Sequence, residues 1–300
     1  MSRRNTPRIS FVGFGEAGQA IASGLREAGI ERIAAWDILF PDPAGAPLKI
    51  AGESTGVRIA SSAGDAVCET DMVISAVTAA SSVDAARSVA PHLTGNPYYL
   101  DINSVSPGRK QETARLLGER ARYVDVAVIA AIHPARHRTP LLISGPHAGK
   151  ILPLLRELDM QLAVVSPQIG AAAAIKMIRS VMIKGIEALT LECFLAASRA
   201  GVLEEVTASL KNNYPTLDWT KIADYNLERM ASHGERRAAE MEESAATLRE
   251  LGLNPLMVDS TVKRQREMGA IGKRETVREA VKSGQAAMLS AISAAVKDRD

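Results

Sequence analysis

Cysteine is nearly absent. Cys68 and Cys193 are the only two in 300 residues, too few and too far apart for a disulfide framework or a cysteine metal site. Both read as buried helix residues of a reducing compartment. Aromatic residues are almost as scarce, at 4%. The second half is rich in alanine instead, which suggests closely packed helices. Neither sign of charge dominates: a net charge of +2 spread along the chain makes no face for nucleic acid. No segment reaches ~18 uninterrupted apolar residues, so none is expected to span a membrane. Arg3, Arg4 and Arg8 precede an apolar run, but Gly13 and Gly15 break it, and it runs on into fold-bearing sequence. The expectation is an untargeted, cytoplasmic protein. Internal repeats and low-complexity segments are lacking too.

What remains is ordinary globular composition, 46% hydrophobic and 23% charged, in a chain long enough for two domains. Its most informative stretch runs from Arg8 to Ala20. Ile9, Phe11 and Val12 suit a buried parallel strand. Gly13, Gly15 and Gly18 then form G-x-G-x-x-G, and an amphipathic run, Gln19–Ala28, ends at Gly29. The glycines serve a tight turn, close approach of backbone to a pyrophosphate, and helix–strand packing. The helix N-terminus offers N–H groups and partial positive charge to phosphates, so Phe14, Glu16 and Ala17 also belong to the expected cofactor site. A second strand-like run from Arg32 ends at Asp37, close to the ~20-residue offset of a carboxylate that binds the adenosine ribose. The alternative is a glycine-rich turn with an incidental surface Asp. The concurrence of strand, turn, helix and carboxylate favours a dinucleotide, NAD before NADP, because Ile38, Leu39 and Phe40 supply no cation for a 2′-phosphate.

A Pro/Gly-rich loop (Pro41, Pro43, Gly45, Pro47) follows, then a short strand near Val57–Ala60. Further strands are expected at Asp71–Val77, Tyr98–Asn103, Tyr123–Val128, Leu141–Ser144 and Gln161–Val165, with helices at Ser82–Val89 and Gly108–Ala121. The alternation predicts an α/β fold: an N-terminal doubly wound, mostly parallel Rossmann sheet. After Pro167 the pattern turns helical. Ile169–Ala200 lacks proline, carries Ile175, Ile178, Met182 and Ile186 at helical spacing, and is closed by Gly201. Such a helix is ~48 Å long and reads as a spine joining two domains, 1–166 and 167–300. The all-α remainder is expected as Leu203–Lys211, Trp219–Ser232, Arg236–Leu251, Ser260–Arg266 and Thr276–Val296. The apolar surface of the long helix predicts a homodimer through this half.

Ligands of doubly wound sheets sit beyond the carboxyl ends of the strands. Besides the glycine turn, three places qualify. Val77 and Thr78 end the fourth strand, where backbone should run along the cofactor. Asn103, Ser104 and Ser106 end the fifth; either serine can cap the next helix, with Pro107 near its first position, and an anionic substrate suits that N-terminus. A plain cap without a ligand role is the alternative for Ser106. Lys176 and Ser180 share one face of the long helix, and Lys176 either snorkels to solvent or sits in a cleft with a lowered pKa.

Taken in order, the glycine turn, the Asp101–Pro107 segment, the strand at Asp125 and the Gly170…Lys176 helix resemble the four signatures of the β-hydroxyacid dehydrogenase superfamily, which includes 6-phosphogluconate and 3-hydroxyisobutyrate dehydrogenases. Lys184–Leu189 and His233–Glu243 are similar to a phosphogluconate-dehydrogenase-like branch. The resemblance implies a metal-independent NAD(P)-dependent oxidoreductase of 3-hydroxyacids, with Lys176 as general acid/base on the substrate hydroxyl, Asn103, Ser104 and Ser180 beside it, and possible decarboxylation of a β-ketoacid product. Imine reduction belongs to a sister branch that usually carries Asp or Tyr at the lysine, and a non-catalytic dinucleotide sensor is the remaining alternative. The family's substrate loop, Asp-Ala-Pro-Val-Ser-Gly-Gly, falls on Asp125 to Ala131, where Val128 matches but Ile129, Ala130 and Ala131 replace Ser-Gly-Gly; Val128, Ile129 and Ala130 are expected beside the substrate. His133, Arg136, His137 and Arg138 follow, either as a grip for a small anionic substrate larger than a three-carbon acid or as a solvated loop. The family Asn one turn after the lysine is Ser180, and the second glycine before the lysine is Ala172. A Lys-Asp pair of relatives falls near Glu240–Met241 and is lacking.

Overall fold

In the computed structural model residues 6–297 are described; Arg3 and Arg4 lie outside the described residues. Two compact units are present, one ending at Lys176 and one beginning at Met177.

The first unit is a single eight-stranded sheet: β1 (Ile9–Val12), β2 (Ile33–Trp36), β3 (Arg58–Ile59), β4 (Met72–Ser75), β5 (Tyr98–Asp101), β6 (Arg122–Val128), β7 (Leu141–Ser144) and β8 (Leu162–Ser166). Their order is β3-β2-β1-β4-β5-β6-β7-β8. Strands β1 to β6 are mutually parallel, β7 runs antiparallel to β6, and β8 is parallel to β7. β1, β4 and β5 are buried along their whole length, which is why they read as continuous apolar runs. The order reverses between β1 and β4, so a crevice is expected beyond their carboxyl ends. Pairing sets a row across the sheet at that level: Trp36, Val12, Ser75, Asp101, Asp125 and Ser144. Polar groups begin on this row and the site is built on it.

Helices α1 (Glu16–Glu27), α2 (Ala46–Ser54), α3 (Ala63–Val67), α4 (Ser82–Val89), α5 (Pro107–Leu117) and α6 (Ala148–Glu157) connect the strands. Three of them are unmarked by simple periodicity. α2 grows out of the proline-rich loop because Pro47 lies in its first turn, where the missing N–H costs nothing. α3 is short and capped by Ser62. α6 contains Pro153. Cys68, expected inside a helix, is the exposed residue that ends α3.

α7 (Ala171–Ala200) starts two residues later than expected and crosses the division between the units. That division lies ten residues beyond the expected 166/167, because the first turn of α7 is tied to the sheet, as described below. The second unit continues with α8 (Leu203–Asn213), α9 (Trp219–Glu250), α10 (Leu256–Ile271), α11 (Glu275–Val281) and α12 (Gln285–Lys297). Two expectations are corrected here. The break expected between Ser232 and Arg236 does not occur, since Gly234 serves a close helix crossing: a Cβ there would lie 2.4 Å from the Gln265 carbonyl oxygen of α10. The single helix expected over 276–296 is divided instead at Gly284, whose φ is +90°. Leu191, Phe194, Leu227, Met230, Met268, Leu289 and Ile292 fill this unit's core.

Candidate active site

The chain leaves β1 through Gly13, which adopts φ +91°, and a Cβ there would meet the Ala76 carbonyl oxygen at 2.4 Å. Only glycine fits both demands. A Cβ on Gly18 would lie 2.7 Å from the Gly13 carbonyl, whereas one on Gly15 would meet nothing within 4 Å. Gly15 is also the N-cap of α1 and makes no side-chain cap bond. The turn is therefore packed tightly on its protein side and open at Gly15, with the α1 amino terminus beside it and Glu16 and Ala17 as its first residues. This is the form of an anion cradle. Asp37, one residue past β2, accepts hydrogen bonds from the Phe14 amide at 2.7 Å and the Leu39 amide at 3.0 Å. A carboxylate locked against an open glycine turn fits the ribose and pyrophosphate of a nicotinamide dinucleotide.

From this turn a chain of contacts crosses the sheet. Gly13 abuts Ala76 and Val77. The Val77 amide donates to Asn103 Oδ1 at 2.7 Å, and Asn103 Nδ2 donates to Ser75 Oγ at 3.0 Å. Asn103, buried, thus fastens the end of β4 to the end of β5, while Thr78 remains exposed. The next residue, Ser104, accepts a 2.6 Å hydrogen bond from Lys176 Nζ. Ser106 is the residue that caps α5, its Oγ 3.5 Å from the Arg109 amide. The Lys176 amine is accordingly turned onto the strand ends, and its side chain is half-buried.

Beneath this surface lies a buried polar group that sequence reasoning missed. Lys110 is fully buried; its Nζ donates to the Asp101 carbonyl at 2.6 Å and lies 3.0 Å from Asp101 Oδ1 and 3.5 Å from Asp125 Oδ1. Asp101 also accepts from the Asn103 amide and from Tyr123 Oη. Asp125 Oδ2 accepts from Ser144 Oγ at 2.8 Å and from the Gly170 and Ala173 amides at 3.2 and 3.1 Å; Ser144 Oγ accepts from the Ala172 amide. Burial and the neighbouring Asp101 charge push the Tyr123 phenol well above its usual range. Nothing in the sequence marks Lys110, since a lysine on a polar helix ordinarily faces water.

The loop after β6 departs from expectation. Val128 and Ile129 are half-buried and Ala130 is exposed; the Ile129 amide is taken by the Pro140 carbonyl. Arg136, expected to grip substrate, forms two 2.5 Å bonds with Glu27, the last residue of α1, about 16 Å along that helix from the glycine turn. Arg138 pairs with Asp159 at 2.6 Å. His137 packs on Gly24, and His133 is exposed. Both arginines are thus paired with carboxylates at the surface, Arg136 with Glu27 and Arg138 with Asp159.

Ser180 belongs to the second unit and accepts from Lys184 Nζ at 3.3 Å; Lys184 pairs with Glu240 at 2.7 Å. Burial lowers the Lys184 pKa, partly offset by Glu240. A Lys–Glu pair therefore stands at Glu240 although the lysine comes from α7. Arg237 pairs with the buried Glu187, which also accepts from Gln265. Among the described residues no three His, Cys, Asp or Glu side chains gather as metal ligands would, and no helix is long and apolar enough to cross a membrane.

Residues 8–160 match the NAD binding domain of 6-phosphogluconate dehydrogenase, and residues 197–268 match a domain of unknown function, DUF1932. A conserved hypothetical protein from Sinorhizobium meliloti is 36% identical, with 96% of each chain covered and a TM-score of 0.77. A second solved protein, described by its structural similarity with 3-hydroxyacid dehydrogenases, is 29% identical over 88% of this chain and 97% of its own, with a TM-score of 0.70. The 3-hydroxyisobutyrate dehydrogenase of Mycobacterium tuberculosis, solved with L-serine, shares the fold at 17% identity, covering 88% and 94% of the two chains with a TM-score of 0.71. The imine reductase of Myxococcus stipitatus shares it too, as a V8 variant with NAD+ at 23% identity and a TM-score of 0.56 and in a complex with NADP+ at 22% and 0.53, over 95% of this chain and 98% and 99% of theirs.

Proposed function

This chain belongs to the family that carries the NAD binding domain of 6-phosphogluconate dehydrogenase, and from that premise we propose that it oxidises a small anionic 3-hydroxyacid, or reduces the corresponding ketoacid, with Lys176 as the proton-transfer group. It is a dehydrogenase or reductase of the 3-hydroxyacid dehydrogenase type that binds NAD(P). The finer reading rests on one observation, the 2.6 Å bond between Lys176 Nζ and Ser104 Oγ at the strand ends.

Gly13, Gly15, Gly18 and the start of α1 would hold the pyrophosphate, Asp37 the adenosine ribose, and Val77 and Thr78 the strand-end side of the cofactor. When bound, the nicotinamide supplies hydride transfer to or from carbon. The chain's own part is proton chemistry and orientation. Lys176 Nζ takes the proton from the substrate hydroxyl as its carbon is oxidised, and returns it in the reverse direction. Ser104 Oγ holds that amine, and its hydroxyl is free to swing to the substrate oxygen once the substrate displaces it. Asn103 keeps Ser104 beside Val77. The α5 amino terminus and the lysine favour an anionic substrate. A β-ketoacid product would lose carbon dioxide without further help from the protein.

NAD is the proposed cofactor, and a second copy of the chain the proposed partner. Along α7, Ile175, Ile178, Met182, Ile186 and Leu189 are exposed at helical spacing, a stripe that a homodimer would cover. A cytoplasmic location fits this reading.

The test is a screen of hydroxy acids, sugar acids and their phosphates against NAD+ and NADP+, with a cyclic imine and reduced cofactor as a further arm, followed by cofactor absorbance. Oxidation of a 3-hydroxyacid is expected. Reduction of the imine with no hydroxyacid oxidised would overturn the proposal in favour of imine reduction, and silence in every arm would favour a dinucleotide sensor.

A further inference from the structure

We propose that Lys110, with Asp101 and Asp125, is the positioning device of the active site: one buried ammonium holds both halves of the Lys176–Ser104 contact. The inference rests on reading Lys176 as the proton-transfer group, and it concerns residues that touch neither cofactor nor substrate.

Lys176 sits three residues beyond Ala173, so its place depends on how α7 begins. The first turn of a helix has N–H groups without intrahelical partners. Here those of Gly170 and Ala173 go to Asp125 Oδ2, and that of Ala172 goes to Ser144 Oγ, itself bonded to Asp125. The carboxylate at a helix amino terminus also meets the favourable end of the helix dipole. Gly170 is pinned in addition, with φ +96° and room for a Cβ only 3.0 Å from Pro107. Asp125 is therefore the anchor of α7.

Ser104 depends on a parallel arrangement. Asp101 Oδ1 accepts from the Asn103 amide at 3.0 Å and shapes the bend that carries Ser104 out of β5. Asp101 and Asp125 are direct neighbours in the β5–β6 register, and both carboxylates are wholly buried. Two adjacent buried carboxylates repel each other unless a cation is shared. Lys110 is that cation, 3.0 Å from one and 3.5 Å from the other. An uncapped helix start would need only a serine. A buried lysine bridging two carboxylates is costly to desolvate, and what it fixes here is the relative position of the β5 bend and α7.

Trace acetylation of the whole protein with acetic anhydride, read by peptide mass spectrometry, measures how firmly the Lys176 amine is held. Lys221, whose side chain is 85% exposed, is the internal reference. Ser104→Ala, which removes the partner directly, is expected to raise the Lys176/Lys221 ratio roughly threefold to tenfold, the range of one hydrogen bond. Asp125→Asn and Lys110→Met are expected to give a rise of the same order. Ser144→Ala, which deletes a single hydroxyl, gives the reading should the two charge variants fail to fold, and thermal unfolding identifies which variants are folded. Binding of NADH is expected to stay unchanged in folded Ser144→Ala and Asp125→Asn, whose contacts lie on the α7 side. An unchanged ratio in folded Lys110→Met or folded Asp125→Asn protein would overturn the proposal, as would an unchanged ratio in Ser144→Ala or in Ser104→Ala. The assay needs no substrate. A Lys176→Met protein that keeps its turnover would therefore refute the catalytic reading while leaving the acetylation result to stand or fall by itself.

Discussion

Lys176 and Ser104, 72 positions apart in the chain, meet through a hydrogen bond of 2.6 Å. The contact joins the first turns of α7 to the end of β5, where Asn103 already grips Val77 at 2.7 Å. The amine is thereby held beside the strand ends where the dinucleotide site opens.

Lys176→Met keeps the side-chain length and removes the nitrogen that carries the proton. Turnover of the hydroxyacid found by screening is expected to fall by about 100-fold or more, within the ~10²–10⁴-fold range of acid–base groups. Ser104→Ala keeps the amine but removes the hydroxyl that holds it, and should cost roughly threefold to tenfold, the range of one hydrogen bond. NADH affinity should be unchanged in both, because Gly13, Gly15 and Asp37 are untouched. Near-normal turnover of Lys176→Met would remove the lysine from the mechanism.

Much of this site was legible beforehand because it is local. The Gly13–Gly18 turn, Asp37 at the end of β2 and the polar segment Asn103–Ser106 each declare themselves by neighbours in the chain. Lys176 was legible only as a choice between snorkelling and a cleft, since helical spacing says nothing of what stands opposite. Lys110 was invisible for the same reason: its two carboxylates arrive from β5 and β6, and register is a tertiary fact. The pairing of the basic residues at 133–138 was equally hidden. Their partners, Glu27 and Asp159, lie 109 and 21 positions away from Arg136 and Arg138. In the helical half, periodicity found the helices but not their ends. Gly234 looked like a break and is a crossing point, whereas Gly284 is a real break because its φ is positive.

His137 gives the fold a defined acid sensitivity. It is buried against Gly24, neither ring nitrogen has a hydrogen-bond partner, and burial, reinforced by Arg138, holds its pKa below the usual value of 6.5. Asp159 and Glu27 act in the opposite sense without reversing the shift. The unfolded chain therefore takes up this proton first as pH falls below about 6.5. Stability present above that pH is lost on acidification through the lowered folded value. His147, also depressed by burial, adds to the same trend. Urea midpoints should drop between pH 7.5 and 5.5, and the drop should be smaller in His137→Phe. An equal drop in both proteins would show that His137 is not part of the linkage.

The exposed stripe on α7 makes a prediction about assembly. Met182 is 64% exposed and Leu189 56%, and single exposed residues of this kind need no explanation. Five at helical spacing on one face are different, because a continuous apolar stripe is the mark of a packing surface. A stable dimer at micromolar concentration is expected in sedimentation, and Met182→Glu combined with Ile186→Glu should shift it to monomer without loss of helix content. A monomeric wild-type protein would leave the stripe without a second copy to cover it.

Cofactor choice turns on Asp37. Its two oxygens are fixed by the Phe14 and Leu39 amides, so the carboxylate cannot readily rotate away from a ligand on the open side of the turn. A ribose diol can donate to the remaining lone pairs of those oxygens. A 2′-phosphate brings negative charge to the same place, and the next three residues, Ile38, Leu39 and Phe40, carry no cation to offset it. NADH is accordingly expected to bind at least tenfold more tightly than NADPH, a difference of about 1.4 kcal/mol. Asp37→Ser should narrow that ratio from both sides, by weakening NADH through a lost acceptor and by relieving the repulsion that opposes NADPH. Fluorescence titration of the two reduced cofactors measures all four affinities. Tighter binding of NADPH by the wild-type protein would mean that a cation from elsewhere reaches the ribose, and Asp37 would then lose its role as the discriminator.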